Sequence, residues 1–169
     1  YQMISNSIEF PISLTFDKVN FSYQGAEENI LDNISFSCEA GKTTAIIGST
    51  GSGKSTIAKL ILRLYDIQSG KILLNGKNIQ EYKQYDLREK IGYIPQKAFL
   101  FSGTVQDNLI MGKKDASLQE MQHALEIAQA KTFIDILPEK LLTLVSQGGT
   151  NFSGGQKQRL AIARALIKD

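Results

Sequence analysis

A glycine-rich stretch in the first third of the chain constrains the fold more than any other feature. Residues 48–56 read GSTGSGKST and fit the pattern G-x-x-x-x-G-K-[S/T]. The run before them, residues 43–47, is short and mostly apolar, which predicts a buried strand. The apolar residues after them have the spacing of one helix face: Ile57, Leu60, Ile61 and Leu64. The sequence therefore predicts a strand, a loop and a helix, in that order.

The residue types in this loop suit a polyphosphate. Glycine lets the backbone curl and approach a ligand closely, and successive N–H groups at a helix N-terminus attract an anion. Lys54 would add a charge for the β- and γ-phosphates, and Ser55 a hydroxyl for Mg²⁺. The alternative is a glycine-rich turn that caps a helix. The predicted binding residues are Gly48, Ser49, Thr50, Gly51, Ser52, Gly53, Lys54, Ser55 and Thr56.

Composition excludes several classes of partner and site. A net charge of +2 over 169 residues is too small to indicate nucleic acid or an anionic membrane as a partner. The length suits one domain with a small subdomain. No apolar run approaches the length of a membrane-spanning helix. One cysteine and one histidine exclude a metal cluster built from these residues. The chain starts at Tyr1 without a signal pattern, and we expect it to be a piece of a longer chain.

Alternating residues predict strands around the loop. Residues 14–23 alternate with one phase slip at 17–18, which predicts a strand with a bulge or turn. Residues 34–38 predict a half-exposed strand, with Cys38 as a core thiol in a reducing compartment rather than a reactive one. Residues 71–74 precede Asn75-Gly76, a strong hairpin signal. Residues 91–94 predict a further strand that ends at Pro95.

The second half of the chain has helical patterns. Helices are expected at 86–90, at 105–111 with Thr104 as the cap, at 131–137, and at 154–168 with Ser153 as the cap. A capping box at 117–120 precedes another helix, whose predicted buried stripe is Leu118, Met121, Leu125 and Ala128. His123 lies off this stripe and is expected to be solvated rather than a base or a ligand.

A second candidate site opens the last of these helices. Ser153, Gly154, Gly155 and Gln156 place bare N–H groups and a hydroxyl at a helix N-terminus, which repeats the chemistry of the first loop. For these residues alone an ordinary capped helix start is the more common explanation. The presence of the predicted phosphate loop about 100 residues earlier favours a functional explanation of these residues.

Taken together, these motifs resemble the nucleotide-binding domain of ATP-binding-cassette (ABC) transporters. Residues 153–159, SGGQKQR, are similar to the family's signature motif, with Phe152 where leucine is usual. Gln96 is similar to the glutamine of the Q-loop, and Tyr23 to the aromatic residue that stacks on adenine. Alone, Tyr23 would more often be an edge-strand aromatic. Residues 88–96 and 99–105 are similar to the exporter branch.

The resemblance implies a fold and a division of the chain. The fold would be α/β, a P-loop NTPase-type sheet with an antiparallel β subdomain and a helical subdomain, incomplete at the C-terminus. Residues 1–11 would be a linker from a preceding membrane domain, and residues 12–169 a partial ATP-binding domain. Within it the β layer and core would cover about 12–95, the helical subdomain about 96–152, and the signature helix 153–168.

The resemblance also implies roles and partners. ATP and Mg²⁺ would bind at the first loop, with Lys54 and Gln96 acting in catalysis and Ser55 and Gln96 near Mg²⁺. Two such domains would pair head to tail, so that residues 153–156 of one close on the ATP of the other. The region from Gln96 to Phe101 would contact the membrane domain at the cytoplasmic face of the cell membrane. For Phe99–Phe101 the alternative is a pair of core aromatics.

The family pattern continues with a strand ending in Asp, a catalytic Glu and a switch His, and none of these is found in the 169 residues. We therefore expect this fragment to hydrolyse ATP slowly or not at all, although its parent would be an ATPase. We also expect marginal stability or association of chains, because the missing strand would pair at the sheet centre. Two alternatives stay open: a degenerate regulatory site of a heterodimeric exporter, and a soluble cassette ATPase acting on the ribosome or DNA.

Overall fold

An antiparallel sheet of four strands organises the first half of the chain in the computed structural model, which describes residue 8 and residues 10–168. Its strands are β1 (Leu14–Phe21), β2 (Leu31–Cys38), β3 (Ser69–Leu74) and β4 (Lys77–Asn78). Their order across the sheet is β2-β1-β3-β4. This first unit extends to Ile91, and a second unit comprises Gly92–Asp169. Of the predicted linker, residues 1–11, the structure describes residues 8, 10 and 11, and the rest of this prediction lies outside the described residues.

The phase slip in β1 is a bulge, as predicted. The pairing of β1 with β2 shifts register between Phe16 and Val19, and Lys18 has a φ of 50°. The extra residue returns Val19 to the face of Phe16, and both side chains are buried. In β3, Gly70 passes beside the bulge, where a Cβ would stand 2.4 Å from the carbonyl oxygen of Lys18. Glycine is therefore required at that position.

The Asn-Gly pair forms the predicted hairpin turn between β3 and β4. Asn75 and Gly76 have φ values of 48° and 76°, the left-handed conformation that a tight hairpin turn needs at both central positions. The predicted half-exposed strand is β2, in which Ile34, Phe36 and Cys38 are all partly buried. The sheet therefore follows its sequence signals closely.

Two helices accompany the sheet, α1 (Lys54–Ile61) and α2 (Gln84–Glu89), with a 3₁₀ turn at Ile79–Glu81. Ile57 and Leu60 of α1 are buried as predicted, but Leu64 is 49% exposed. The reason is that α1 ends at Ile61, and Arg63 turns the chain out of the helix with a φ of 49°. The core of this unit consists of Ile8, Phe16, Val19, Phe21, Leu31, Ile57, Leu60, Ile72, Leu74, Ile79, Tyr82 and Leu87.

Two predicted strands are wrong in this structure. Residues 43–47 and 91–94 have no strand conformation. Ile47 is 93% exposed, and Ile94 is 39% exposed. A strand is stabilised by hydrogen bonds to a neighbouring strand, and neither segment is paired in the part of the chain that the structure describes. An apolar run signals a tendency to be buried, but it does not supply the neighbour.

The second unit is mainly helical. It contains α3 (Val105–Ile110), α4 (Leu118–Ile127), α5 (Lys131–Asp135) and α6 (Gly154–Leu166), with 3₁₀ turns at Lys140–Leu142 and Gln147–Gly149. A two-stranded ladder joins β5 (Gly103–Thr104) to β6 (Leu144–Val145). Thr104, Ser117 and Ser153 each cap a helix through a complete capping box. Every predicted cap is therefore confirmed.

The helices of this unit enclose a second core. Its buried members are Leu100, Val105, Leu109, Met121, Ala124, Leu125, Ala128, Ala130, Ile134, Val145, Phe152, Leu160, Ala163 and Ile167. Leu118 was predicted to be buried and is 58% exposed, because it is the first residue of α4 and lies beyond the packed turns. His123 is exposed, as predicted. The α/β class, with an antiparallel sheet followed by a helical part, is confirmed.

None of the helices in residues 10–168 has both the length and the apolar character that crossing a membrane requires.

Candidate nucleotide-binding site

The predicted phosphate loop ends where α1 begins, at Gly53. Gly53 is the N-cap residue with a φ of 86°, and no side chain caps the helix. The first turn also has no acidic residue. The first hydrogen bond within the helix runs from the N–H of Ile57 to the carbonyl of Gly53, so the N–H groups of Lys54, Ser55 and Thr56 are left for other acceptors. This helix end therefore presents donors and a positive dipole end, and no acidic residue in its own first turn competes for them.

Close approaches explain the glycines of this loop. A Cβ on Gly48 would stand 2.6 Å from Ser52 Oγ. A Cβ on Gly53 would stand 2.6 Å from Leu31 Cδ2, on strand β2. Gly51 has open space around it but a φ of 84°, which favours glycine for conformational reasons. A side chain at Gly48 or Gly53 would therefore clash with a neighbouring side chain, and one at Gly51 would strain the backbone.

Lys54 lies folded over the loop that precedes it. Its ammonium donates hydrogen bonds to the carbonyl of Gly48 at 2.7 Å, to the carbonyl of Ser49, and to Ser52 Oγ at 3.2 Å. These are neutral acceptors, and Lys54 takes part in neither of the ion pairs found among the described residues. A phosphate oxygen would accept a stronger, charge-assisted bond from the same ammonium. The charge that the motif calls for is therefore already at the loop.

Tyr23 lies next to the phosphate loop. Its hydroxyl is 3.2 Å from Thr56 Oγ1, and its ring packs edge-on with Phe21 and with Tyr65, each with a centroid distance of 5.0 Å. Thr56 is 5% exposed, whereas Ser55 is exposed. The structure thus brings together two features that the sequence separates by some thirty residues, the aromatic residue and the loop. It also adds Lys59, whose ammonium is 3.5 Å from the hydroxyl of Tyr23.

Lys59 was missed by the sequence analysis. Helical spacing places it one turn after Thr56, and this was the only available signal. Its contact with Tyr23 joins residues that are 36 positions apart, which no local pattern reveals.

The predicted signature residues open α6 in the second unit. Gln156 N–H donates to Ser153 Oγ at 3.3 Å, and Ser153 N–H donates to Gln156 Oε1 at 2.9 Å. Gly154 and Gly155 are exposed, and a Cβ at either position would meet nothing within 4 Å. The backbone at this helix end is therefore open to an approaching group. Phe152 is buried beside Phe133, so an apolar side chain suffices at the position where leucine was expected.

Gln96 is exposed in an irregular segment of the second unit. Ser55, the other residue predicted to be near Mg²⁺, belongs to the first unit. Their shared role at Mg²⁺ stays a prediction.

Phe99 and Phe101 lie at the surface, and their interpretation as core aromatics is wrong. They are 52% and 45% exposed, whereas Leu100 between them is fully buried. The Arg164 guanidinium stacks over the Phe101 ring at 5.6 Å and donates to the carbonyl of Phe99 at 3.0 Å. Burial lowers the pKa of Arg164. The two rings lie 5.1 Å apart, edge to face, and form an exposed aromatic pair.

The buried Asn108 holds the backbone of Phe101, one member of this aromatic pair. Its side chain accepts from the N–H of Phe101 at 2.8 Å and donates to the carbonyls of Phe101 and Thr104 at 2.9 and 3.0 Å. Asn108 is 2% exposed, so these bonds satisfy a polar group that would otherwise be buried without partners.

The protein family described as ABC transporter matches residues 31–169 of the chain. An ATP-dependent lipid A-core flippase of Haemophilus influenzae is 48% identical over 157 residues, which are 92% of this chain and 27% of the flippase. An ABC transporter B family member of Arabidopsis thaliana is 45% identical over 92% of this chain and 12% of its own length.

A solved structure of a bacterial Atm1-family ABC exporter with ATP bound matches with a TM-score of 0.92 and 41% identity. The match covers 98% of this chain and 29% of the exporter. The chain thus spans about a quarter or less of the length of the curated relatives named above.

Proposed function

Because the chain belongs to the ABC transporter family, we propose that it binds ATP with Mg²⁺ and forms part of the motor of an exporter. The observation that carries this proposal is the position of Lys54. Its ammonium lies over the glycine loop, and the groups that accept its hydrogen bonds there are all uncharged. Exporters couple ATP hydrolysis to movement of a substrate across a membrane, and such coupling is proposed here for the whole protein of which these residues are a part.

The last three residues of the loop, Lys54, Ser55 and Thr56, have roles that their geometry supports. The free N–H groups of Lys54, Ser55 and Thr56 would bind phosphate oxygens, and the Lys54 ammonium would exchange its carbonyl acceptors for phosphate. The exposed hydroxyl of Ser55 would be available to Mg²⁺. When bound, Mg²⁺ neutralises phosphate charge, and ATP supplies the energy of its terminal phosphoanhydride bond. Tyr23, beside the loop, would stack on the base.

We propose further that two copies of this domain pair head to tail, and that Ser153, Gly154, Gly155 and Gln156 act on the nucleotide of the partner. The open backbone at the start of α6 supports this, because both glycines have free space where an incoming phosphate would need it. The similar exporter of known structure has ATP bound, which is consistent with a nucleotide at such sites. Gln96 would complete the Mg²⁺ site.

The exposed aromatic pair, Phe99 and Phe101, is proposed to contact the membrane domain, which would place this domain at the cytoplasmic face of the cell membrane. The support is physical: two large apolar side chains are exposed next to each other, and their backbone is hydrogen-bonded by Asn108 at Phe101 and by Arg164 at Phe99. Nucleotide binding, rather than turnover, is the property that these 169 residues would have by themselves, since they contain none of the carboxylates that the family uses for hydrolysis.

The test is calorimetric titration of the purified 169-residue chain with ATP and Mg²⁺. Lys54→Ala should weaken binding at least tenfold, because it removes a charge-assisted bond at the phosphates. Lys42→Ala is the matched control: Lys42 is also close to the loop in sequence, but it pairs with Glu39 at the surface, and the affinity should not change. If the unsubstituted 169-residue chain does not bind ATP, or if both variants bind ATP with the same affinity, the proposal is wrong.

A further inference from the structure

The hydroxyl of Tyr23 connects a lysine to the phosphate loop. Tyr23 Oη lies 3.2 Å from Thr56 Oγ1 and 3.5 Å from Lys59 Nζ. The same ammonium stands 5.6 Å from the centre of the Tyr23 ring. Thr56 is 5% exposed, so its hydroxyl has little access to water. Lys59 has no role in the function proposed above.

The chemistry of the ammonium sets the direction of the hydrogen bond between Lys59 and Tyr23. An ammonium has only donors, so the oxygen of Tyr23 must accept from Lys59 or at least turn its own hydrogen away from that charge. The other partner of Tyr23 is Thr56, and at 3.2 Å either oxygen can be the donor. The series proposed below takes Tyr23 as the donor, so that Thr56 receives the phenolic hydrogen. Thr56 Oγ1 then acts as the acceptor, and its own hydroxyl hydrogen is left for another acceptor. In a series of this kind each bond polarises the next and makes the last donor stronger.

The last donor in this series lies at the end of α1 where an anion would bind. Thr56 is in the first turn, and its backbone N–H is also without an acceptor in the helix. A threonine in a helix often uses its hydroxyl on a carbonyl of the preceding turn. Here the hydroxyl of Thr56 is bonded to Tyr23 instead.

We propose that Lys59 is a positioning residue that acts through Tyr23 to direct the hydroxyl hydrogen of Thr56 toward the phosphate chain of the nucleotide. This inference rests on the proposed nucleotide binding and adds to it. The hydroxyl of Tyr23 then contributes to phosphate affinity, separately from any stacking of its ring on a base. Tyr23 would thus have two roles, which substitution can separate.

The experiment compares ATP with inorganic tripolyphosphate, each with Mg²⁺, by calorimetric titration of the 169-residue chain. Tripolyphosphate has no base, so ring stacking cannot affect its affinity. Tyr23→Phe keeps the ring and removes the hydroxyl. It should weaken both ligands by the same factor, about fivefold, which corresponds to one net hydrogen bond of about 1 kcal/mol. Stacking alone would leave the affinity of this variant for both ligands unchanged.

Further variants test the series itself. Lys59→Met keeps a long apolar side chain without the charge and should weaken tripolyphosphate, whereas Lys59→Arg keeps the donors and should restore it. Tyr23→Phe combined with Thr56→Val should bind no more weakly than Thr56→Val alone, because both changes remove the same donor. Tyr65→Phe is the matched control, since it removes a hydroxyl from the ring packed on Tyr23 but outside the series.

The outcomes separate this inference from the proposed function. If the parent chain binds neither ligand, both are wrong. If the parent binds both ligands and Tyr23→Phe binds tripolyphosphate as the parent does, only the inference is overturned. Additive losses for Tyr23→Phe and Thr56→Val would also overturn it. Circular dichroism of each variant reports whether it folds. If Tyr23→Phe does not fold, the affinities of Lys59→Met and Lys59→Arg for tripolyphosphate are compared in its place, and equal affinities overturn the inference.

Discussion

Gly53 passes so close to Leu31 that a Cβ on the glycine would stand 2.6 Å from the Cδ2 atom of the leucine. Leu31 begins β2 and is 2% exposed, so it has little room to move. The phosphate loop is thus packed directly against the antiparallel sheet at the point where α1 starts. The glycine is needed for the protein's own packing as well as for any ligand.

This contact predicts different results for two glycines of the loop. Gly53→Ala should lower the free energy of unfolding by about 2–4 kcal/mol, because it combines a left-handed backbone with a clash against a buried side chain. Gly51 has a similar φ, but its surroundings leave room for a Cβ. Gly51→Ala should therefore lower the free energy of unfolding by only about 1–2 kcal/mol. Urea unfolding followed by circular dichroism measures both. Equal losses would show that the contact with Leu31 is unimportant.

A second close approach holds α3 against α6. A Cβ on Gly112 would stand 2.2 Å from the carbonyl oxygen of Arg164 and 2.5 Å from Ile167 Cγ2. Gly112→Ala should therefore cost about 1–3 kcal/mol by overpacking, measured as a lower urea midpoint. Gly155→Ala, inside α6 with free space around it, should instead be neutral or stabilise by up to about 1 kcal/mol. A Gly112→Ala variant as stable as the parent would contradict this packing.

The amide of Asn108 is expected to stabilise the second unit by its hydrogen bonds. The Asn108→Leu substitution keeps a side chain branched at Cγ but leaves the N–H of Phe101 and two carbonyls without this partner. The expected loss is about 2–4 kcal/mol of unfolding free energy. Gln106→Ala on the same helix, at a partly exposed position, should change stability by less than about 0.5 kcal/mol. Thermal melts of both variants test this, and a small effect for Asn108→Leu would be contrary to the prediction.

Stability should fall in acid partly through Glu120. The hydrogen bond from Lys113, followed by those from the Ser117 backbone and hydroxyl, lowers the pKa of the Glu120 carboxyl to about 2. Its ordinary value is 4.5, so the folded chain keeps this carboxylate ionised at a lower pH than the unfolded chain does. The stabilisation is therefore complete above pH 4.5 and is lost as the pH falls toward 2.

Glu120→Gln removes the titrating group and tests this pH dependence. The drop in the urea midpoint between pH 5.5 and pH 3 should be smaller in Glu120→Gln than in the parent chain. Glu126→Gln, on the same helix but outside these contacts, should keep the drop of the parent. An unchanged pH dependence in Glu120→Gln would mean that the Lys113–Glu120–Ser117 contacts do not contribute.

Local signals in the sequence predicted most of the elements. The bulge at Lys18, the Asn75-Gly76 turn and the three helix caps at Thr104, Ser117 and Ser153 all depend on residues close together in the chain. Such features depend on φ preferences and short-range hydrogen bonds, which the residue types specify. The predictions failed where a partner distant in sequence was needed. The two strands expected at 43–47 and 91–94 are the clearest cases, since a strand forms only with a neighbour.

By itself the sequence determined the capped start of α6 and the family, and it predicted phosphate binding at residues 48–56, because each depends on residue types at fixed short spacings. Only the tertiary structure decided that Phe99 and Phe101 are exposed while Leu100 is buried, and that Lys59 and Thr56 meet at the hydroxyl of Tyr23. The physical reason is that hydrogen bonds and burial between distant segments depend on how the chain packs, and packing has no local signature in the sequence.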